Sequence, residues 1–158
     1  MKKAGLLLTG FAAGIMFVVL TGAAIMSEKI FVVDESKYEF IETIDRIEAL
    51  AKESGWNISH MYNLQATMAK HNLEVEPVVV MSLCKPQIAY NILGADSERP
   101  ASVMMPCRVS VYQTKDGKVQ ISRMNTGLMS GMLAGITRSS MDQAGNEIET
   151  LLNQVIKK

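Results

Sequence analysis

Two cysteines, Cys84 and Cys107, are the only thiols in a chain of 158 residues, and each has neighbours that could put it to use. Cys84 is followed by Lys85 and Pro86. Proline suits the first turn of a helix, and a helix N-terminus with an ammonium close by favours the thiolate. Cys107 lies between Met105 and Arg108, with Met104 one residue further back, and Met81 precedes Cys84. Thiolate with thioether is a soft donor set of the kind that takes Cu(I), which makes Cys84, Cys107 and Met105 the metal-ligand candidates. Four uses of the pair stay open: a disulfide, worth roughly 3 kcal/mol by loop closure; ligand- or metal-binding thiols; a reactive redox thiol; and two small apolar core residues. Lys85 and Arg108 join the two cysteines as ligand-binding candidates.

Other chemistry is sparser. Gly127, Gly131 and Gly135 recur every four residues near the start of the last helical stretch. Glycine costs about 1 kcal/mol against alanine inside a helix, so the repeat marks a groove candidate where a sheet, a helix or a ligand comes close to the backbone. Nine methionines follow residue 27, and core packing is their favoured reading over a metal-handling stripe, because only Met129 and Met132 are closely spaced on the helix. His60 and His71 stand alone, which reads as structural. No HExxH pair, phosphate-binding glycine loop or nucleotide fingerprint is present. Glu147 and Glu149 read as solvated surface. The pattern gives catalysis no support and names no cofactor.

The elements that position these residues follow from periodicity. Phe31–Val33 suggests a first strand. Asp34 to Gly55 reads as a helix: Ser36 and Glu39 have capping-box spacing, Phe40, Ile44, Ile47 and Ala51 repeat at helical period, and Gly55 suits the stop. Trp56, Ile58, His60 and Tyr62 alternate as one face of a strand. Leu64 to His71 could hold one or two helical turns. Val78–Leu83 is a β-branched strand, and Pro86–Leu93 a short helix ended by Gly94. Val103, Met105, Cys107, Val109 and Val111 alternate over a long strand; Asp116-Gly117 is a two-residue turn; Val119 and Ile121 lie on the returning strand. Met129 to Val155 then repeats at helical period, with a break or restart near Ser139 and Ser140. Strand, helix, several strands and helix predict an α+β domain, with a mainly antiparallel sheet and helices on one face.

Ahead of this domain, residues 4–26 carry no charge and follow Lys2 and Lys3. As a helix they would reach roughly 34 Å, enough to cross a bilayer core of about 30 Å. Three divisions are expected: a cytoplasmic N-terminus at 1–3, one transmembrane helix or signal segment at 4–26, and an extracytoplasmic domain at 27–158. The basic flank stays inside, so the domain lies on the periplasmic or extracellular side of the cytoplasmic membrane. The rival to a retained single-pass anchor is a signal peptide cleaved after Ala24, although this run exceeds the usual signal length. Gly10 and Gly14 form a GxxxG pair, which permits a homodimer. Beyond Lys3 the chain has fourteen basic and sixteen acidic side chains and no basic stripe, which argues against nucleic acid as a partner.

The chain also resembles a bacterial and archaeal family called domain of unknown function 302. The resemblance rests on Leu83-Cys84-Lys85-Pro86 with Ala89, on Met105-Pro106-Cys107-Arg108-Val109-Ser110-Val111-Tyr112, on Asp116-Gly117-Lys118-Val119 and on Met124-Asn125. The helix ending in Gly55-Trp56 before a strand also fits, and the likeness covers about residues 29 to 155. It implies a sheet closed by a C-terminal helix, similar to the TATA-binding-protein-like arrangement, and it implies no activity. The expectation that results is a membrane-tethered binding or accessory module with a cysteine-lined site for an unidentified protein or small molecule. A thiol-redox or soft-metal protein using Cys84 and Cys107 is the alternative.

Overall fold

The structure is a computed structural model and describes residues 30–158. The expected membrane segment at 4–26 lies outside the described residues. Among those described, no helix is long and apolar enough to cross a membrane.

Five strands form one sheet: β1 (Phe31–Glu35), β2 (Asn57–Asn63), β3 (Val78–Cys84), β4 (Cys107–Gln113) and β5 (Val119–Met124). Their order is β1-β5-β4-β3-β2, and every neighbouring pair is antiparallel. Between and after them run α1 (Phe40–Glu53), α2 (Leu64–Ala69), α3 (Pro86–Leu93), a 3-10 turn (Arg99–Met104), α4 (Thr126–Ser130) and α5 (Gly135–Leu152). Strand side chains alternate between faces. Met81 and Leu83 of β3, Val109 and Val111 of β4 and Ile121 of β5 therefore share one face, and all are fully buried. Ile44, Ile47 and Ala51 of α1, Ile88 of α3, and Ile148, Leu151 and Leu152 of α5 complete that core. Each fully buried aliphatic side chain contributes about 1.5–3 kcal/mol relative to exposure. The alternate residues, such as Val80, Ser110, Tyr112 and Ser122, are absent from the core cluster and form the other face of the sheet.

Several local expectations are corrected. The Ser36/Glu39 capping box does not form: α1 starts at Phe40 with no side-chain cap on Glu39, and the Ser36 hydroxyl lies 2.6 Å from that of Thr43. Gly55 does stop α1, at φ +74°. In β2 a bulge between Ile58 and His60 adds one residue, so Ile58 pairs with core-facing Leu83 while His60 and Tyr62 fall on the opposite face. The long strand from Val103 is shorter than its alternation suggests. Pro106 lacks the N–H a ladder requires, and Val103 sits in the 3-10 turn at 87% exposure. The β4–β5 turn is wider than two residues: the Thr114 N–H donates to the Lys118 carbonyl, and Gly117 takes positive φ while Asp116 does not. The last helical stretch breaks at 131–134, and α5 passes unbroken through Ser139 and Ser140.

Candidate functional site

Cys84 ends β3 and Cys107 begins β4 on the neighbouring strand, where Cys107 pairs with Leu83 and Cys84 pairs with Asn57 of β2. Both are half-buried and both are free thiols. They line one narrow cavity of about 30 Å³, together with Met105, Lys85, Trp56 and Met141. The three expected metal-ligand candidates are therefore brought to a single place. Burial pushes the Cys107 thiol up, and nearby Cys84 adds to the rise, so Cys107 is held as a neutral thiol.

Lys85 is committed elsewhere. Its ammonium lies 2.7 Å from Glu147, which also accepts from Trp56 Nε1 at 3.2 Å and from Gln143. The Lys85 hydrogen bond is the chief reason the Glu147 carboxyl sits below its ordinary range. Glu147 is thus not idle surface, and neither is Glu149. Arg123 reaches Glu149 through two hydrogen bonds and pairs with Asp34 of β1. Burial opposes the charge on Arg123, but these bonds outweigh it and keep the guanidinium firmly protonated. Its side chain is only 5% exposed. The sequence carried a signal for it: position 123 continues the core alternation of Val119 and Ile121, an arginine in apolar register.

A larger cavity of about 410 Å³ opens beside the thiols. Its walls come from the 3-10 turn (Val103, Met104), the following segment (Met105, Pro106, Cys107, Arg108), the end of β5 with α4 (Arg123, Met124, Thr126, Met129) and α5 (Met141, Gly145, Ile148, Glu149). Core packing describes Met81, which is fully buried, but Met104, Met105, Met124, Met129 and Met141 surround this one cavity. They come from four separate segments, so no spacing rule could have gathered them. Among the described residues, no group of three or more His, Cys, Asp and Glu side chains is placed to hold a metal ion. The sulfur donors are the Cys84, Cys107 and Met105 set and the methionines around the larger cavity.

The glycine groove is corrected. A Cβ on Gly127 would meet only Asn125 Oδ1, at 3.6 Å; Gly131 caps α4; and Gly135 opens α5 at φ +59°. Gly127 lies within α4, Gly131 and Gly135 flank the break between the two helices, and none lines the cavity. The close approach is at Gly145, where an added Cβ would lie 1.9 Å from Thr126 Oγ1 and 2.8 Å from its Cβ. Gly145 lets α5 seat against α4 and so forms the cavity floor.

Taken by fold and site, this is an α+β domain whose antiparallel sheet and covering helices enclose a methionine-walled cavity next to two thiols. Residues 32–158 match the family described as domain of unknown function DUF302, and the chain belongs to that family. A crystal structure of an uncharacterized conserved DUF302 protein from Bacillus stearothermophilus is similar, with a TM-score of 0.71 at 20% identity, covering 79% of this chain and 97% of the other. That likeness concerns the fold. No curated protein matches the chain.

Proposed function

We propose that this protein is a membrane-tethered, extracytoplasmic binding or accessory module whose small-molecule ligand lodges in the methionine-walled cavity. The cavity carries the proposal. Its volume of about 410 Å³ falls within the 300–1,000 Å³ typical of small-molecule sites. Methionine is flexible and polarisable, so five of them form a wall that adapts to an irregular apolar ligand. Binding is favoured over turnover because Arg123 and Glu149 on the wall hold each other in hydrogen bonds, which leaves no free carboxylate there, among the described residues, to act as a base. The tether rests on the uncharged run at 4–26 behind Lys2 and Lys3. The helix-covered antiparallel sheet is also compatible with a TATA-binding-protein-like arrangement.

The test is a titration of the full chain, purified in an uncharged detergent, with an apolar dye that fluoresces when shielded from water, the signal of protein-free micelles being subtracted. One dye should bind per protein, and Met129→Trp, which fills the cavity from a partly exposed position, should abolish it. An equal signal from the filled variant would place the dye elsewhere and remove the cavity as the site.

A second reading has its own support. Cys84, Cys107 and Met105 share one small cavity, and the two thiols are near enough for one to raise the pKa of the other. That geometry suits a soft monovalent metal or a redox pair. Thiol titration with metal analysis separates the two readings: two free thiols and no bound metal leave the apolar ligand, whereas a stoichiometric metal or a disulfide favours the thiol site.

A further inference from the structure

A different cluster lies on the face of the sheet turned away from the core. Met81 and Leu83 are core residues, so Ser82 between them points to the opposite face. The register sets His60 of β2 on one side of Ser82 and Arg108 of β4 on the other. Neighbouring strands lie about 4.8 Å apart, so the three residues form a row roughly 10 Å long. Tyr62 holds the two ends. The His60 imidazole stacks against its ring at 5.7 Å, with 18° between the planes. The Arg108 guanidinium carbon lies 5.6 Å from the ring centre.

Ser82 lies between these groups in the register and is 1% exposed. Its hydroxyl is buried with no hydrogen-bond partner, the one such side-chain atom among the described residues. A buried hydroxyl in this state forfeits its hydration without compensation. Arg108 takes part in none of the ion pairs among the described residues, in contrast to Arg123, Arg46 and Arg99. A guanidinium, an imidazole and an unpaired hydroxyl thus meet in one row without a carboxylate in it.

We propose that this row is a binding site for a phosphate group, carried by a soluble small molecule or by a lipid headgroup. The guanidinium supplies a planar fork of donors that matches two phosphate oxygens. The imidazole N–H and the Ser82 hydroxyl approach from the neighbouring strands and suit the remaining oxygens. A phosphate sets its oxygens tetrahedrally, which suits donors arriving from three strands better than the single plane of a carboxylate. Arg108 is exposed and makes a ring contact with Tyr62, so its guanidinium is free to turn toward a bound group. The row is on the sheet face opposite the core; of its residues only Arg108 also borders the larger cavity, so Ser82→Ala reads the row alone.

The test is a titration of the full chain, in an uncharged maltoside detergent, with inorganic phosphate, following the NMR signals of the His60 imidazole and the Arg108 guanidinium. A parallel arm follows the same signals while phosphatidylglycerol, or an uncharged glycolipid as control, is added to the detergent micelles. Saturable shifts at both side chains are expected, weakened at least tenfold in Arg108→Gln and about fivefold in Ser82→Ala. A response to inorganic phosphate alone assigns a soluble ligand, and an Arg108-dependent response in both arms assigns a group that is also carried on lipid. Ser82→Ala removes an unpaired hydroxyl and should fold at least as well as the native chain. Shifts absent in both arms, or unchanged in both variants, would overturn the proposal.

Discussion

Arg123 ties three elements together, from β5 to Asp34 on β1 and Glu149 on α5. Removing one member of a fully buried ion pair costs about 3–5 kcal/mol. The two carboxylates here reach solvent, at 32% and 39% exposure, so the loss is smaller. Arg123→Gln should lower stability by about 2 kcal/mol, read from the urea midpoint, with Arg123→Met intermediate because it keeps the packing. Glu147 makes a pH prediction. Its folded pKa lies below the unfolded value of about 4.3, so its contribution is present above that pH and disappears as pH falls through the folded pKa. Glu147→Gln should cost about 1 kcal/mol at pH 7, and thermal melts of the two proteins should converge below pH 4. Cys107 runs the other way. Its raised pKa means that stability is full below the unfolded value of about 8.5 and declines as pH rises through the folded one. The same shift should make Cys107 react with iodoacetamide more slowly than free cysteine at pH 8, measured by peptide mass spectrometry after timed quenching; an equal rate would contradict a buried neutral thiol.

Among the elements, α4 and α5 depend on Gly145. A methyl there meets the Thr126 side chain at distances that real contacts do not reach. Gly145→Ala should destabilise by about 1–3 kcal/mol, and trimming the partner with Thr126→Ala should recover part of it, a coupling that a double-mutant cycle measures. Additive effects would mean the two residues do not meet. This contact also shows where sequence reading stops. The strands and α1 were legible because each repeats at its own period, as in Val109–Val111 and Ile44–Ile47–Ala51. Gly145 sits mid-helix with no local mark, and its partner is 19 residues away across a break. The β2 faces were misread for a related reason: Ser59 is an ordinary polar residue, and nothing in its type announces a bulge. At the candidate site, Cys84, Cys107 and Met105 were found by residue type, whereas the cavity beside them is a product of four segments meeting.

For the whole molecule, the division near residue 30 matters most. The described domain has its own core, a continuous five-stranded sheet and its own C-terminal helix. A chain beginning at Ser27 should therefore be soluble and show a single cooperative thermal transition. Aggregation, or the absence of a transition, would mean that the preceding segment completes the fold. The proposed tether makes a separate prediction: protease added to intact cells should digest residues 30–158 without breach of the cytoplasmic membrane. Protection until that membrane is opened would reverse the assigned side.

The pairing of β1 imposes an order of events on biosynthesis. Its five residues lie against β5, about ninety positions later, and the strand is followed by a bridge from Ser36 to Ile156 and by a bond from the Lys157 N–H to the Glu35 carbonyl. The first strand of the domain is therefore clasped by a segment more than a hundred positions further along. Contacts so distant in sequence form late, because closing the intervening loop must precede any return from them. The sheet needs β5 before β1 can pair, and the clasp on β1 needs residues 156 and 157. The domain stays unfinished, and open to chaperones, until those residues are made.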